Sequence, residues 1–180
     1  MTEKKNIFAI IGSASENSSN LRLVKYLATL TQDDFNWTIF DNLRSLPPFS
    51  PELSIDNTPQ IIVDFRESIS NADGILICTP EYIFSIPSCL KNAIEWCVST
   101  TVFSKKPIGL ITASAHGLKG HEELKLIMKT VETNFTQDTA LLIQGIKGKI
   151  DKHGTITDDK TKNDLTNFIT AYKNLLKNAS

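Results

Sequence analysis

The sequence predicts an α/β fold in which a five-stranded parallel sheet carries helices on both faces. Short apolar runs alternate with segments whose apolar residues recur at helical spacing, and the links between them are short. The run Ile75–Cys78 has no polar alternation, as expected where helices cover both faces of a parallel sheet. A chain of 180 residues can bury a substantial core, so we expect a single domain over residues 1–180.

The amino-terminal part of the chain predicts a strand, a polar turn and a helix. The apolar run Ile7–Ile11 ends at Gly12 and Ser13, which is typical of a buried strand entering a turn. The segment Ser18–Asn20 supplies side-chain oxygens that suit the N-terminal cap of a helix. The apolar face of that helix comprises Leu21, Val24, Leu27 and Ala28.

A short strand and a proline-rich loop come next. Trp37–Phe40 predicts the second strand. Leu46–Pro51 contains three prolines, which fix φ and remove backbone donors, so this segment predicts an ordered surface loop or a linker. Thr58 predicts the cap of the second helix, with Pro59 in its first turn. The apolar face of the second helix comprises Ile62, Phe65 and Ile69.

The remaining elements repeat the same alternation. The predicted strands are Ile75–Cys78, Pro107–Thr112 and Thr139–Ile143. The apolar faces of the three further helices are Leu90, Ala93, Ile94 and Cys97; Leu124, Ile127, Met128 and Val131; and Leu165, Phe168, Ile169, Tyr172 and Leu176. Between the last strand and the last helix, Gly145–Asp159 is rich in Lys, Gly and Asp and predicts an exposed turn region.

The number of strands favours one topology. Five alternating strands and helices suit the flavodoxin-like order 2-1-3-4-5, a three-layer sandwich built from right-handed crossovers. In such sheets ligands bind outside the carboxyl ends of the strands, near the point where the strand order reverses. The loops after strands one, three and four are therefore the places to look for a site.

Composition excludes several classes of function. A formal net charge of −1 gives no basic field for nucleic acid, so we expect no nucleic-acid partner. The amino-terminal residues lack the pattern of a secretory signal and the composition leaves no surplus for a membrane span, so we expect a cytoplasmic protein without membrane association. Cys78, Cys89 and Cys97 lack metal-ligand spacing, and we expect no metal site and no disulfide framework.

The loop after the first strand has the chemistry of an anion site. Gly12–Asn20 places hydroxyl and amide side chains at a helix N-terminus, where free backbone amides and the helix dipole favour an anion. Its glycine spacing is neither that of a Walker loop nor that of a dinucleotide fingerprint, and the triphosphate-binding lysine is absent. The loop therefore favours a monophosphate, although turn formation and helix capping alone also account for these residue types.

The loop after the third strand is of a different kind. Pro80–Pro87 contains prolines and two aromatic residues, and such a rigid segment has exposed amides that can address the edge of a planar ring. By itself this pattern does not identify a ligand.

Together these loops resemble the NADPH-dependent FMN reductase family, which includes enzymes described as chromate, quinone and azo-dye reductases. The family's first loop reads G-S-x-R-x-x-S-x-N, which Gly12, Ser13, Ser18 and Asn20 match. Its second segment reads P-E-Y-N-x-S-x-P-G-x-L-K-N-A-I-D-W and is matched at Pro80, Glu81, Tyr82, Ser85, Pro87, Leu90, Lys91, Asn92, Ala93, Ile94 and Trp96. Ala113, Ser114, Gly117 and Gly120 resemble its third flavin-contacting loop, so the resemblance spans Ile7 to about Leu124.

The resemblance implies a cofactor, a co-substrate and a set of contact residues. FMN is the implied cofactor, NADPH or NADH the hydride donor, and a flavin, quinone, azo compound or metal oxyanion the small-molecule acceptor. The implied cofactor-binding residues are Ser13, Ser15, Ser18, Asn20, Leu21, Pro80, Glu81, Tyr82, Ile83, Phe84, Ser114 and Gly117. No catalytic acid or base is assigned, because the flavin carries the electrons. A homodimer or homotetramer is expected by analogy with the family.

Three departures from the family pattern bear on these expectations. Ser15 replaces the arginine of the first loop, which removes a charge-assisted phosphate contact worth about 1.5 to 3 kcal/mol and predicts weaker FMN binding. Ile83 stands where the family has asparagine, so a side-chain amide contact is lost. Ser88 and Cys89 replace small residues, which predicts a narrower space for the substrate.

The roles of several other candidate residues each have two interpretations. Cys89 is either a buried core thiol or a redox thiol at a helix N-terminus, and the absence of a recognisable resolving cysteine favours the first. His116 and His121 are either solvated loop residues, which we favour, or contacts for the nicotinamide nucleotide. Lys91 is interpreted as a structural or intersubunit contact beside Asn92 and Glu95.

Two alternatives to a reductase also stay open. One is a flavodoxin-type electron carrier or flavin-binding module without nicotinamide activity, although such carriers are commonly acidic and this chain is close to neutral. The other is a flavin-free interaction domain in which Ser15 and Ile83 mark a lost cofactor.

Overall fold

Five parallel strands form one sheet in the order β2-β1-β3-β4-β5. The computed structural model of the protein describes residues 3–179. The single domain predicted over residues 1–180 also includes Met1, Thr2 and Ser180, which lie outside the described residues. The strands are β1 (Lys5–Ile11), β2 (Phe35–Phe40), β3 (Gly74–Thr79), β4 (Ile108–Ser114) and β5 (Ala140–Gln144). The predicted strand order is therefore confirmed.

Five α-helices connect and follow the strands. They are α1 (Ser19–Leu30), α2 (Gln60–Asn71), α3 (Ser88–Glu95), α4 (Leu118–Thr130) and α5 (Asp159–Asn178). Short 3₁₀ turns occur at Leu43–Ser45, Pro51–Leu53, Gln137–Thr139 and Ile146–Gly148. None of the helices in residues 3–179 combines the length and apolarity that crossing a bilayer requires.

The core lies on both faces of the sheet because successive strand side chains point to opposite sides. In β1, Phe8 and Ile10 pack with the apolar faces of α2, α3 and α4. Ile7, Ala9 and Ile11 pack with α1 and α5 on the other face. This is the predicted three-layer arrangement.

The proline-rich loop before α2 is held by α3. Asn92 Nδ2 donates to the Pro47 carbonyl at 3.0 Å, and the Phe49 amide donates to Asn92 Oδ1 at 2.7 Å. The indole of Trp96 donates to the same Pro47 carbonyl at 2.8 Å. Two residues of the long family motif therefore anchor a loop.

Lys91 forms an i,i+4 ion pair with Glu95 at 2.9 Å, which agrees with a structural role within this chain.

Three local predictions need correction. The second strand begins at Phe35 rather than at Trp37. Thr58 does not cap α2, because its hydroxyl donates to the Leu53 carbonyl at 2.8 Å and the capping position is Pro59. The segment Gly145–Asp159 is only partly exposed, since it buries the isoleucines Ile146, Ile150 and Ile156 against the core on the α1 side.

Candidate functional site

A cavity of about 510 Å³ lies at the carboxyl ends of the strands, where the strand order reverses. It is lined by Ser13, Ser15, Ser18, Ser19, Asn20, Pro80, Tyr82, Ala113, Ser114, Ala115, Gly145, Ile146, Lys147 and Gly148. A larger groove of about 670 Å³ between α5 and the chain around Gln137 lies at the amino end of β5. Ligands of open parallel sheets bind at the opposite, carboxyl edge, so the smaller cavity is the candidate site.

One wall of the cavity is the loop that leads into α1. The Ser18 hydroxyl accepts a hydrogen bond from the Leu21 amide at 3.1 Å and so caps the helix. The Ser15 amide donates to Ser13 Oγ at 3.2 Å, which folds the loop into a tight turn. The first amides of a helix have no intrahelical acceptor and carry the positive end of its dipole. This wall therefore offers hydroxyl and amide donors to an anion.

Asn20 lines the same wall but its side chain is already engaged. Its Nδ2 donates to the Ala113 carbonyl at 3.2 Å, and the Cys78 thiol donates to its Oδ1 at 3.3 Å. Asn20 is buried, so these bonds join the start of α1 to the ends of β3 and β4. Its amide positions the wall. Ser13, Ser15 and Ser18 line the cavity, and the Ser15 hydroxyl donates to the Glu16 carbonyl at 3.3 Å.

The facing wall is formed by the loops after β3 and β4. Pro80 and Tyr82 follow β3, and Ser114 ends β4. Tyr82 Oη lies 3.5 Å from Ser13 Oγ, so the two walls meet at this point. A rigid ring and a half-exposed aromatic side chain are suited to a flat aromatic ligand.

Glu81 points away from the cavity and clamps the two loops of this wall together. One carboxylate oxygen accepts the Gly117 amide at 3.2 Å and the other accepts the Gly120 amide at 2.8 Å. In the reverse direction, Glu123 of α4 accepts the Ile86 amide at 3.1 Å. A carboxylate at the first amides of α4 satisfies donors that the helix itself leaves free. Glu81 and Gly117 thus lie behind the cavity wall rather than on its surface.

Ile83 and Phe84 form the tip of a tight turn and point into solvent. Tyr82 and Ser85 pair across this turn through bonds of 2.9 and 3.1 Å between their backbones. Ile83 is 95% exposed and Phe84 76% exposed, and their φ angles are +50° and +60°. The left-handed backbone turns both side chains outward, so neither lines the cavity. Leu21 is also outside it, buried in the core beneath α1.

The cavity thus has donors for an anion at one wall and a flat apolar surface at the other. The sequence profile of one family, described as NADPH-dependent FMN reductase, matches residues 5–147, which include both walls and most of the fifth-strand loop.

The chain belongs to the NADPH-dependent FMN reductase family.

Curated relatives and solved structures agree with this membership. The chain is 30% identical over 173 residues to a 2-hydroxy-1,4-benzoquinone reductase from Burkholderia sp., covering 92% of this chain and 93% of the relative. It is 26% identical over 180 residues to a quinone reductase of Escherichia coli K12, covering 96% and 95%. The solved structure of the flavoenzyme NAD(P)H:(acceptor) oxidoreductase FerB from Paracoccus denitrificans superimposes with a TM-score of 0.86 at 25% identity, covering 97% and 98%.

Family membership confirms several predictions made from the sequence. The chain is an oxidoreductase of the flavodoxin-like fold, with FMN as the cofactor and a reduced nicotinamide nucleotide as the electron donor. The lining of the cavity fits FMN, because the cofactor pairs a phosphate with a flat ring and the two walls offer the matching chemistry.

The structure brings together only part of the predicted contact set. The residues that line the cavity are Ser13, Ser15, Ser18, Asn20, Pro80, Tyr82 and Ser114. Those that lie behind, beneath or outside it are Leu21, Glu81, Ile83, Phe84 and Gly117. The assignment of individual residues to FMN stays a prediction.

Sequence reasoning missed the turn after β5, which forms a third side of the cavity. Gly145 has a φ of +67°, and its amide donates to the Ser114 and Ala115 carbonyls at 2.8 and 3.1 Å. These bonds place Ile146–Gly148 beside the end of β4. The available signal was positional, since the loop after the fifth strand emerges at the same edge as the loops that were considered.

One titratable group near the cavity, His121, differs from what the sequence predicted. His121 is not a solvated loop residue: it is buried, its Nδ1 lies 2.9 Å from Thr112 Oγ1, and burial lowers the pKa of its imidazole to about 4. His116 is exposed, as favoured. Partial burial raises the pKa of the Cys89 thiol, which agrees with the favoured interpretation of a core thiol rather than an activated redox thiol. Among residues 3–179 no three His, Cys, Asp or Glu side chains form a metal-binding group.

Proposed function

We propose that the chain binds FMN in the cavity at the carboxyl ends of β1, β3 and β4 and transfers hydride from NADPH or NADH to a quinone. The observation that carries this proposal is the pairing, within one cavity of about 510 Å³, of the donor-rich loop before α1 with Pro80 and Tyr82. The phosphate is expected at the first and the ring at the second.

The choice of a quinone among the possible acceptors rests on the relatives. The Burkholderia relative is named a 2-hydroxy-1,4-benzoquinone reductase and covers nearly the whole chain. The E. coli relative is named a quinone reductase. A planar aromatic acceptor also suits a flat, half-exposed wall better than a compact metal oxyanion does.

The protein's share of the chemistry is binding and orientation. Bound FMN supplies the redox chemistry, since its ring accepts hydride from nicotinamide and passes the electrons to the acceptor. Ser13, Ser15 and Ser18 would hold the phosphate through hydrogen bonds, and Pro80 and Tyr82 would hold the ring. Tyr82 and Lys147 are the only ionisable side chains among the lining residues. The proposal assigns neither side chain a role as an acid or base, because the flavin carries the electrons.

Two further expectations accompany this function. A homodimer or homotetramer is proposed by analogy with the family. Two large apolar side chains exposed together, those of Ile83 and Phe84, are consistent with a contact between copies at this turn. The cytoplasmic location expected from the sequence stays a prediction.

An anaerobic titration tests the function. The protein is loaded with FMN, freed of excess cofactor and mixed with NADPH or NADH, and the visible absorbance of the oxidised flavin is followed. We expect the absorbance to bleach with either nucleotide or with both, and to return when one equivalent of a benzoquinone is added. An azo dye and chromate, added in parallel, rank the acceptors.

Each other outcome has a distinct meaning. Uptake of FMN without bleaching by either nucleotide would contradict the reductase and favour the electron carrier. Failure to take up FMN even from excess would exclude both and leave the flavin-free interaction domain. Bleaching that chromate or the azo dye reverses faster than the quinone would overturn the proposed acceptor alone.

A further inference from the structure

Lys147 is the only charged side chain among the residues that line the cavity. It lies in the middle of the turn Ile146–Gly148, between two glycines, and is exposed. Within residues 3–179 no carboxylate forms an ion pair with it, so its ammonium group is available to a ligand. A single unpaired cation at a cavity edge adds a charge-based preference that the hydroxyls cannot supply.

The packing of the turn places Lys147 at the phosphate end of the cavity. Its neighbour Ile146 is buried in the cluster that contains Leu21 and Val24 of α1. The chain continues along the same helix, where Gly154 packs beside Arg22: an added Cβ would lie in van der Waals contact with the Arg22 carbonyl, 3.7 Å from its oxygen. Tyr82, in contrast, leads into α3, whose apolar face packs on the opposite side of the sheet.

Two other cations near the loop before α1, Arg22 and Arg44, form contacts of their own. Arg22 donates through Nη2 to Ser19 Oγ at 3.2 Å and does not line the cavity. Arg44 pairs with Glu16 at 3.4 Å in a neighbouring groove, which shares Ser13 and Ser15 with the cavity and also contains Lys25. Neither Arg44 nor Lys25 lines the cavity. A phosphate bound at the α1 N-terminus would therefore meet hydroxyls, amides and the helix dipole, with Lys147 as the one cation on the cavity side.

We propose that Lys147 closes the anion site opposite the α1 N-terminus and supplies the positive charge for the FMN phosphate. The loop Gly12–Asn20, with Ser15 in place of the family's arginine, has no positively charged side chain, and Lys147 supplies that charge instead. Lys147 thereby sets the preference of the chain for FMN over riboflavin, which has the same ring without the phosphate. This inference rests on the proposed FMN site.

The test compares two flavins on two proteins. Flavin-free wild type and Lys147→Met are titrated with FMN and with riboflavin, and the dissociation constants are measured from the quenching of flavin fluorescence. We expect Lys147→Met to weaken FMN binding at least tenfold and to leave riboflavin binding unchanged within twofold. The salt dependence of FMN affinity becomes shallower in the variant, because a charge contact is screened by ions.

Two further variants separate charge from structure. Lys147→Arg keeps the charge and is expected to retain FMN affinity within threefold. Lys152→Met removes an exposed lysine that does not line the cavity and is expected to change neither affinity.

Three results would overturn the inference while leaving the FMN site intact. They are an equal loss of FMN and riboflavin affinity in Lys147→Met, no loss of either, and a loss in Lys147→Arg as large as that in Lys147→Met. Wild-type protein that binds neither flavin would instead remove the proposed function, and the role of Lys147 with it.

Discussion

The two loops that face each other across the cavity direct their side chains in opposite ways. The loop before α1 turns its polar side chains inward, where Ser13, Ser18 and Asn20 are buried and hydrogen-bonded. The turn after β3 sends Ile83 and Phe84 outward on a left-handed backbone. Both match the family motif, yet one is completed by contacts within the chain and the other leaves its apolar side chains exposed.

A match to the family motif therefore does not determine whether a side chain points into the cavity or into solvent. The first loop is fixed by a helix cap and by bonds to β3 and β4, so its donors are pre-organised for an anion. The second is held from behind by Glu81, and its tip stores backbone strain. Changing the two loops separately should therefore have effects of different size and sign.

The largest effect is expected where the first loop leaves β1. A Cβ on Gly12 would lie 2.5 Å from Thr79 Cβ and 3.0 Å from Leu90 Cδ2, so there is no room for one. We expect Gly12→Ala to lower the free energy of unfolding by about 3 kcal/mol, measured by urea denaturation. Gly148→Ala is the control, because nothing lies within 4 Å of its added Cβ. Equal losses in the two variants would refute steric exclusion at Gly12.

The next effect tests the clamp behind the second loop. Glu81→Gln keeps one acceptor and replaces the other with an amide donor that faces an amide of α4. We expect a loss of about 2 kcal/mol in the free energy of unfolding, since a donor at a helix N-terminus is left unpaired. Glu122→Gln, on the exposed side of the same helix, is expected to have little effect. If the two variants lose the same stability, Glu81 is not a clamp.

A smaller effect of opposite sign is expected at the tip of the turn. Asparagine adopts the left-handed region more readily than a β-branched residue, so Ile83→Asn should raise the free energy of unfolding by about 1 kcal/mol. Ile55→Asn removes a similarly exposed isoleucine without a left-handed backbone and should change it little. A loss of stability in Ile83→Asn, measured by urea denaturation, would contradict the strain assigned to the left-handed backbone at this position.

The smallest effect at neutral pH concerns the end of β4, on which both loops rest. The folded-state pKa of His121, about 4, lies below its ordinary value of 6.5, so unfolded chains bind the extra proton between these values. Stability should therefore be full above pH 6.5 and fall as the pH drops towards 4. The free energy of unfolding of His121→Asn, measured by urea denaturation, should fall less steeply over this pH window than that of wild type. The free energy of unfolding of His116→Asn, which changes an exposed histidine, should follow that of wild type. Parallel curves for His121→Asn and wild type would contradict the assignment.

Much of the fold followed from local pattern. The apolar runs of β1, β3 and β4 are buried on both faces, so their lack of alternation identified a covered parallel sheet. The start of the edge strand β2 was placed less well, because Phe35 is separated from Trp37 by the polar residue Asn36 and is paired only with β1. Thr58 shows that a capping residue type can serve a loop instead.

The candidate site was predictable only where the residue type decides the contact. The hydroxyls before α1 indicated an anion because a helix N-terminus follows them directly. The role of Glu81 depends on Gly117 and Gly120, which lie far along the chain, and no local pattern shows that they meet. Lys147 reaches the cavity through bonds between the turn after β5 and the end of β4, again a tertiary contact.

The central claim, that FMN occupies this cavity, is tested most directly by filling it. Ala115 is exposed and lines the cavity, whereas Leu118 is exposed nearby and does not. Flavin-free wild type, Ala115→Trp and Leu118→Trp are titrated with FMN, and bound cofactor is measured by equilibrium dialysis. The account predicts one FMN per chain for wild type and Leu118→Trp, and loss of binding in Ala115→Trp. Undiminished binding by Ala115→Trp would place the cofactor elsewhere and contradict the account.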